Sequence, residues 1–154
     1  MRETRRSVVR AGAVLGLLAV LGSTLFGPGR ARAAWNTDAF EAKSAEAAMR
    51  ALGITHAEES KDIVIVAEDI TVNGAAVPIE ITSNIPGTTR ISLFIEKNPF
   101  PYAGTFEFAA GAVPFVHLRA KIGRSTPVRV VAAAGGRFYM AAKEVKVTIG
   151  GCGG

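Results

Sequence analysis

Residues 128–149 read Val128-Arg129-Val130-Val131-Ala132-Ala133-Ala134-Gly135-Gly136-Arg137-Phe138-Tyr139-Met140-Ala141-Ala142-Lys143-Glu144-Val145-Lys146-Val147-Thr148-Ile149. Two apolar runs meet at Gly135-Gly136, a pair that accepts the positive φ angles of a two-residue hairpin turn. After the turn Phe138, Met140 and Ala142 recur at every second position. Val145, Val147 and Ile149 do the same against Glu144, Lys146 and Thr148. A period of two marks a strand with one buried face. The inward parity slips by one between Ala142 and Val145, which predicts a bulge near Lys143–Glu144.

The same pattern extends upstream to Ile63. Ile63 to Val66 is an apolar run, Ile79-Glu80-Ile81-Thr82 alternates, and so does Ile91-Ser92-Leu93 up to Ile95-Glu96. Phe106 and Phe108 flank Glu107, while Val116, Leu118, Ala120 and Ile122 alternate with His117, Arg119 and Lys121. Asn73-Gly74 is a tight-turn signal, and Pro86-Gly87, Asn98-Pro99, Pro114 and Pro127 punctuate the series. About seven short strands of this kind predict a mainly β fold, an antiparallel β-sandwich with two packed sheets. With one cysteine in the chain there is no pair to bridge the sheets as in antibody domains. Ahead of the strands, residues 36–52 have helical spacing in Phe40, Ala47, Ala48, Ala51 and Leu52, predicting one short helix. Asn36, Thr37 or Asp38 can cap its start, Gly53 stops it, and the charged stretch His56–Asp62 links it to the strands.

The net charge of +5 invites a nucleic-acid reading, but its location removes it. Residues 1–33 carry six arginines against Glu3 alone, and the remainder is balanced, so the domain offers no basic footprint for a phosphate backbone. Residues 1–33 have the build of an export signal: a charged start, an apolar run from Ala11 to Phe26, and Ala31-Arg32-Ala33 as a small-x-small cleavage pattern. The apolar run is short for a membrane span of about 20 residues, so no membrane attachment is expected after cleavage. Arg5-Arg6 just ahead of it is the twin-arginine pattern, although Val8 stands where Phe is usual. The expected organisation is a signal peptide over 1–33, a sandwich with its N-terminal helix over 34–149, and a tail over 150–154, in a periplasmic protein.

The tail is Gly150-Gly151-Cys152-Gly153-Gly154. Glycine has no Cβ and reaches backbone angles closed to other residues, so four glycines give the single thiol a mobile tether on the last strand. A thiolate is a good nucleophile toward sulfur species and can hold a small intermediate covalently between steps. A thin tail can enter an active site too narrow for a folded domain, as lipoyl and phosphopantetheine arms do. Lipidation does not fit: a lipoprotein cysteine follows the signal, and a prenylated one stands fourth from the end, whereas Cys152 is third. His56 and His117 are too few and too scattered for a metal site, which needs three or four ligands. Lys143 and Lys146 either lower the thiol's pKa when the tail folds back or form a solvated strand face. Phe100 and Tyr102, in the loop Asn98-Pro99-Phe100-Pro101-Tyr102, are either interface aromatics or rings tucked under the sandwich.

These residues resemble SoxY, the sulfur-carrying subunit of the Sox thiosulfate-oxidising system. The resemblance rests on the terminal Gly-Gly-Cys-Gly-Gly, on Lys143-Glu144-Val145-Lys146-Val147 leading into it, and on Glu96-Lys97-Asn98-Pro99. It implies an immunoglobulin-like sandwich paired with a second sandwich subunit, SoxZ. It implies that a haem-containing enzyme conjugates thiosulfate to Cys152, that a hydrolase releases sulfate, and that in some organisms a sulfane dehydrogenase oxidises the remaining sulfur. The carrier itself then catalyses nothing and needs no cofactor. A SoxZ-like subunit without its own signal would explain export of a folded protein. Two other readings remain open on the residues alone. An exported structural or interaction module with an incidental cysteine tail would keep its function without Cys152, and a thiol enzyme would turn over without partners.

Overall fold

The computed structural model describes residues 36–148. The proposed signal, with Arg5 and Arg6, and the tail, with Cys152 and Gly150, Gly151, Gly153 and Gly154, lie outside the described residues. Among the described residues no helix is long and apolar enough to cross a membrane.

Two short helices come first, α1 (Thr37–Glu41) and α2 (Ala45–Ala51). The sequence predicts one helix here, but the chain leaves helical geometry at Ala42, where ψ is 138°. Two caps account for the division. The Asn36 side chain accepts from the Ala39 N–H at 2.9 Å, and the Ser44 hydroxyl accepts from the Ala47 N–H at 3.1 Å. The second helix ends as its glycine predicts. Gly53 takes φ +74°, its N–H donates to the Arg50 carbonyl, and the Ile54 N–H donates to the Met49 carbonyl, closing a Schellman motif.

Among the described residues nine strands follow: β1 (Glu58–Glu59), β2 (Ile63–Ala67), β3 (Ile70–Thr71), β4 (Val77–Ser83), β5 (Thr88–Ile95), β6 (Tyr102–Glu107), β7 (Phe115–Ala120), β8 (Thr126–Ala134) and β9 (Arg137–Val147). Seven have five residues or more, as the alternation predicts, and β1 and β3 are two-residue segments that pair parallel with β9. One sheet runs β1-β9-β8-β5-β6, with β3 also on β9, and the other runs β2-β4-β7. The Gly135-Gly136 turn has φ values of +57° and +76°, the pair of positive angles that the hairpin requires. Asn73-Gly74 makes the predicted turn, and it joins β3 in one sheet to β4 in the other.

The sandwich core is aliphatic. Ile79 and Ile81 of β4 face Ile91 and Leu93 of β5 and Val128 and Val130 of β8, all essentially inaccessible to water. A second cluster lies on the opposite face of the larger sheet, where Phe94, Tyr102 and Val131 meet Ala39, Ala45, Ala48 and Ile54 from the helical segment. The alanine-rich helix face lets the helices sit close to the sheet, which supplies the burial their length cannot. β5 is therefore covered on both sides, and Ile91–Ile95 are buried without a break.

Double coverage also removes the predicted bulge at Lys143–Glu144. β9 pairs with β8 in one unbroken register from Arg137↔Ala134 to Val145↔Thr126. Near the hairpin, Phe138 and Met140 pack toward the helices while Tyr139 and Ala141 pack toward the sandwich core. Farther along, Ala142, Glu144 and Lys146 are exposed and only Val145 and Val147 face inward. The parity slip in the sequence is a change in which face is apolar. The irregularities fall instead on β5 and β6, where Thr89 and Ala103 are unmatched.

Tyr102 belongs to β6 and is buried, its ring 4.5 Å from that of Phe40 and 5.6 Å from that of Phe94, with its hydroxyl donating to Thr105 at 2.7 Å. Phe100 is half exposed beneath the Lys43 ammonium, 3.5 Å above the ring. Tyr102 is thus a tucked ring, and Phe100 is half exposed with Lys43 over its face.

Candidate functional site

The last described residue, Thr148, is the root of the cysteine tail, and it is held from two sides. Toward β3, the Lys146 N–H donates to the Asp69 carbonyl at 2.9 Å and the Thr148 N–H donates to the Thr71 carbonyl at 2.9 Å. The Thr148 hydroxyl donates to the same Thr71 oxygen at 3.3 Å. Toward β8, the Val147 N–H donates to the Ser125 hydroxyl at 2.9 Å, which extends the β8–β9 ladder past its last backbone pair at Thr126. The strand is therefore clamped up to four residues before Cys152.

The clamp is itself braced. The Ile122 N–H donates to the Gly74 carbonyl at 2.7 Å, and a Cβ on Gly74 would lie 2.1 Å from the Ile122 oxygen and 3.2 Å from the Val147 side chain. Only glycine allows this approach of the β3–β4 turn to the root. Behind it the Asn98 side chain donates to the Lys121 carbonyl at 2.8 Å and accepts from the Gly123 N–H at 3.1 Å. Gly74→Val is expected to force these segments apart, destabilise the domain by about 1–3 kcal/mol and speed hydrogen exchange at the Thr148 amide. Unchanged exchange at Thr148 would show that the root does not depend on this contact.

Lys143 and Lys146 differ in their surroundings. Lys143 pairs with Asp69 at 2.9 Å. The hydrogen bond from Lys143 and its charge, with a smaller contribution from Lys146, hold the Asp69 carboxyl below its ordinary range despite a small opposing effect of burial. Because that pKa is lowered on folding, any stability from the pair is present at neutral pH and is lost as pH falls through the folded pKa. Lys146 is exposed two residues before the root. Strand rise puts Lys143 about 17 Å behind Thr148, so Lys146 is the nearer of the two lysines to the root.

His56 and His117 are both exposed, His117 opposite Glu80 in the smaller sheet. Among the described residues no three His, Cys, Asp or Glu side chains gather where they could hold a metal ion. Within Glu96-Lys97-Asn98-Pro99, Glu96 pairs with Arg129 at 2.6 Å and the Lys97 N–H donates to the Thr126 hydroxyl at 2.9 Å, so the stretch is a structural staple. Sequence reasoning passed over Thr71, Gly74 and Ser125. Of these only Gly74 left a signal, the tight turn it does make, which carries no sign of its packing against Ile122.

The profile of the family described as sulfur oxidation protein SoxY matches residues 48–152, a span that begins in α2 and includes Cys152. The chain belongs to the SoxY family. Among solved structures it is similar to the sulfur carrier protein SoxY from Chlorobium limicola f thiosulfatophilum, with 38% identity and a TM-score of 0.64 over 71% of this chain and 96% of that one. A superoxide reductase (neelaredoxin) from Ignicoccus hospitalis shares 19% identity and a TM-score of 0.50 over 56% of this chain and 80% of that one, a likeness of fold alone. No curated protein sequence matches significantly. As a SoxY-family fold, the described domain is the expected immunoglobulin-like sandwich, with a third layer formed by two helices.

Proposed function

We propose that this protein is a covalent carrier of sulfur intermediates in periplasmic thiosulfate oxidation, with Cys152 as the attachment point. The observation that carries the reading is the position of the chain's single cysteine. Cys152 lies inside the SoxY match and four residues beyond a strand end clamped on two sides. The relative from Chlorobium limicola, itself a sulfur carrier protein, supports it.

The chemistry divides into steps the thiol can bear. In the first, the Cys152 thiolate sulfur and the outer sulfur of thiosulfate become joined. The thiol gives up one proton and two electrons pass, one at a time, through the haem-containing conjugating enzyme to its electron acceptors, leaving a Cys–S–S–SO3 adduct. In the second, water attacks the terminal sulfur, sulfate leaves with two protons, and a persulfide remains on Cys152. A sulfane dehydrogenase, where present, oxidises that outer sulfur. The carrier supplies the thiol, its tether and a docking body, and partner enzymes supply the redox and hydrolytic groups. In this reading residues 1–33 direct export through Arg5-Arg6, residues 34–149 form the carrier domain bound to a SoxZ-like subunit, and Gly150, Gly151, Gly153 and Gly154 keep the arm thin.

The test is the intact mass of the protein purified without reductant from cells grown on thiosulfate. Sulfane and thiosulfonate adducts are expected, and peptide mapping should place them on Cys152. A protein carrying only a free thiol or its intermolecular disulfide would overturn the carrier reading.

A further inference from the structure

Among the described residues there are two methionines, Met49 and Met140, and two histidines, His56 and His117. Three of these four, Met49, His56 and Met140, line a single cavity of about 230 Å³ beside the helical layer. Each comes from a different segment, and each segment is fixed. Met49 stands in the last turn of α2, and its carbonyl accepts from the Ile54 N–H at 2.8 Å, which turns the chain toward the sheet. Ile54 is buried, so His56 lies on a short link between that anchor and β1. Met140 is in register with Val131 of β8 on one side and with Glu59 of β1 on the other, and its carbonyl accepts from the Ser60 N–H at 2.9 Å. Both methionines are half-buried against the cluster around Phe94 and Val131, while His56 is exposed. The cavity therefore has a dry, sulfur-bearing wall and an imidazole on its solvent side.

We propose that Met49, His56 and Met140 form a binding site for a soft monovalent metal cation, Cu(I). A thioether is a neutral, polarisable sulfur donor that selects Cu(I), and imidazole suits copper as well. Harder ions want other donors. Ca(II) and Mg(II) take carboxylate and carbonyl oxygens, and structural Zn(II) takes thiolates and imidazoles in sets of four. Among the described residues no carboxylate or thiol lines this cavity; Glu59, in register with Met140, lines the adjoining one. Arg129, a cation in the same lining, is compensated by Glu96 at 2.6 Å. Gap filling accounts for a flexible methionine beside alanine-rich helices. It gives no reason for two sulfurs from α2 and β9 to share one cavity with the histidine of the link. Met140 lies eight residues before Thr148, about 26 Å along the strand, so the site belongs to the body of the domain. It does not rest on the carrier reading.

The experiment uses the full mature chain with Cys152→Ser, which removes the competing thiol. Cu(I) is titrated anaerobically against the chromogenic chelator bicinchoninate. The parent is compared with Met49→Leu/Met140→Leu, His56→Gln and His117→Gln in the same background. Leucine conserves the volume of methionine, so the double variant should melt close to its parent. His117, exposed in the smaller sheet, controls for the loss of one imidazole. The parent should bind one Cu(I) per chain. Loss of both sulfurs should weaken binding at least about a hundredfold and loss of His56 at least about tenfold, since groups that merely orient a metal ligand are worth about tenfold to a hundredfold. His117→Gln should bind as the parent does. A second measurement needs no variant at the site: with carbon-13 methyl-labelled methionine, one equivalent of Ag(I) should shift the methyl signals of both Met49 and Met140. Absence of saturable Cu(I) binding overturns the proposal, as does unchanged affinity in the double variant or in His56→Gln, or an equal fall in His117→Gln. If the leucines lower the melting temperature, the methyl signals decide, and a shift in only one or in neither overturns the site. Copper bound only when Cys152 is present also overturns it, by assigning the metal to the thiol.

Discussion

Replacing Cys152 with Ser is expected to abolish thiosulfate-dependent electron transfer in a reconstituted system while leaving the fold untouched. Serine keeps the size and the hydrogen-bonding capacity of the side chain but cannot form the sulfur–sulfur bond that the first step requires. No other cysteine exists in the chain to take over. The fold should not respond, because the sandwich core is complete at Val145 and Val147 and the root is fastened by Thr71 and Ser125. Substitutions outside such features usually change stability by less than about 0.5 kcal/mol. The measurement pairs cytochrome reduction by the reconstituted enzymes with a thermal melt of the carrier. Residual turnover above the carrier-free background would sink the assignment of Cys152, and a clear fall in melting temperature would show that the tail packs on the domain.

The second large effect is on stability. Phe94→Ala is expected to cost about 3–5 kcal/mol, a substantial part of the roughly 5–15 kcal/mol available to a domain of this size. Phe94 is fully buried, but not in the sandwich core. It points to the other face of the larger sheet, beside Tyr102 and under Ala39, Ala45 and Ala48. Its removal leaves a cavity that the short helices cannot close, since each is anchored by its own cap and by small side chains. Phe100→Ala is the matched comparison. That ring is half exposed and its main partner is the Lys43 ammonium, so the loss should stay near or below about 1 kcal/mol. Urea denaturation of both variants checks the contrast. Similar midpoints for the two would mean that the helical layer adds little to the fold.

Much of this protein was legible before any coordinates. Alternation at 79–82, 91–95, 116–122 and 128–149 is the direct imprint of strands with a core face, and Gly135-Gly136 and Gly53 are punctuation whose backbone angles few other residues adopt. The proposed attachment point, Cys152, was read from the sequence alone, from one cysteine set among four glycines. Its support was not legible. The Thr148 hydroxyl bonds to a carbonyl 77 residues away, and the Ser125 hydroxyl reaches Val147 across 22 residues. No local pattern announces contacts made only when separate segments are brought together.

The parity slip at Ala142–Val145 and the single-helix expectation failed for related reasons. Period-two reasoning assumes one apolar face per strand, whereas β9 is covered by helices near the hairpin and by solvent near the root. Helical spacing over residues 36–52 is satisfied equally by one helix or by two capped ones, and packing of the alanine face on Phe94 and Val131 accompanies the second choice. The sequence by itself determined the class of fold and the strand series, and it alone supplies the proposed attachment point. The tertiary structure alone decided which faces are doubly covered, that Gly74 is a packing glycine, and that β3 pairs with the last strand at Lys146 and Val147. Burial and close approach are properties of surfaces brought together by the fold, and local periodicity carries no record of what will lie on the other side.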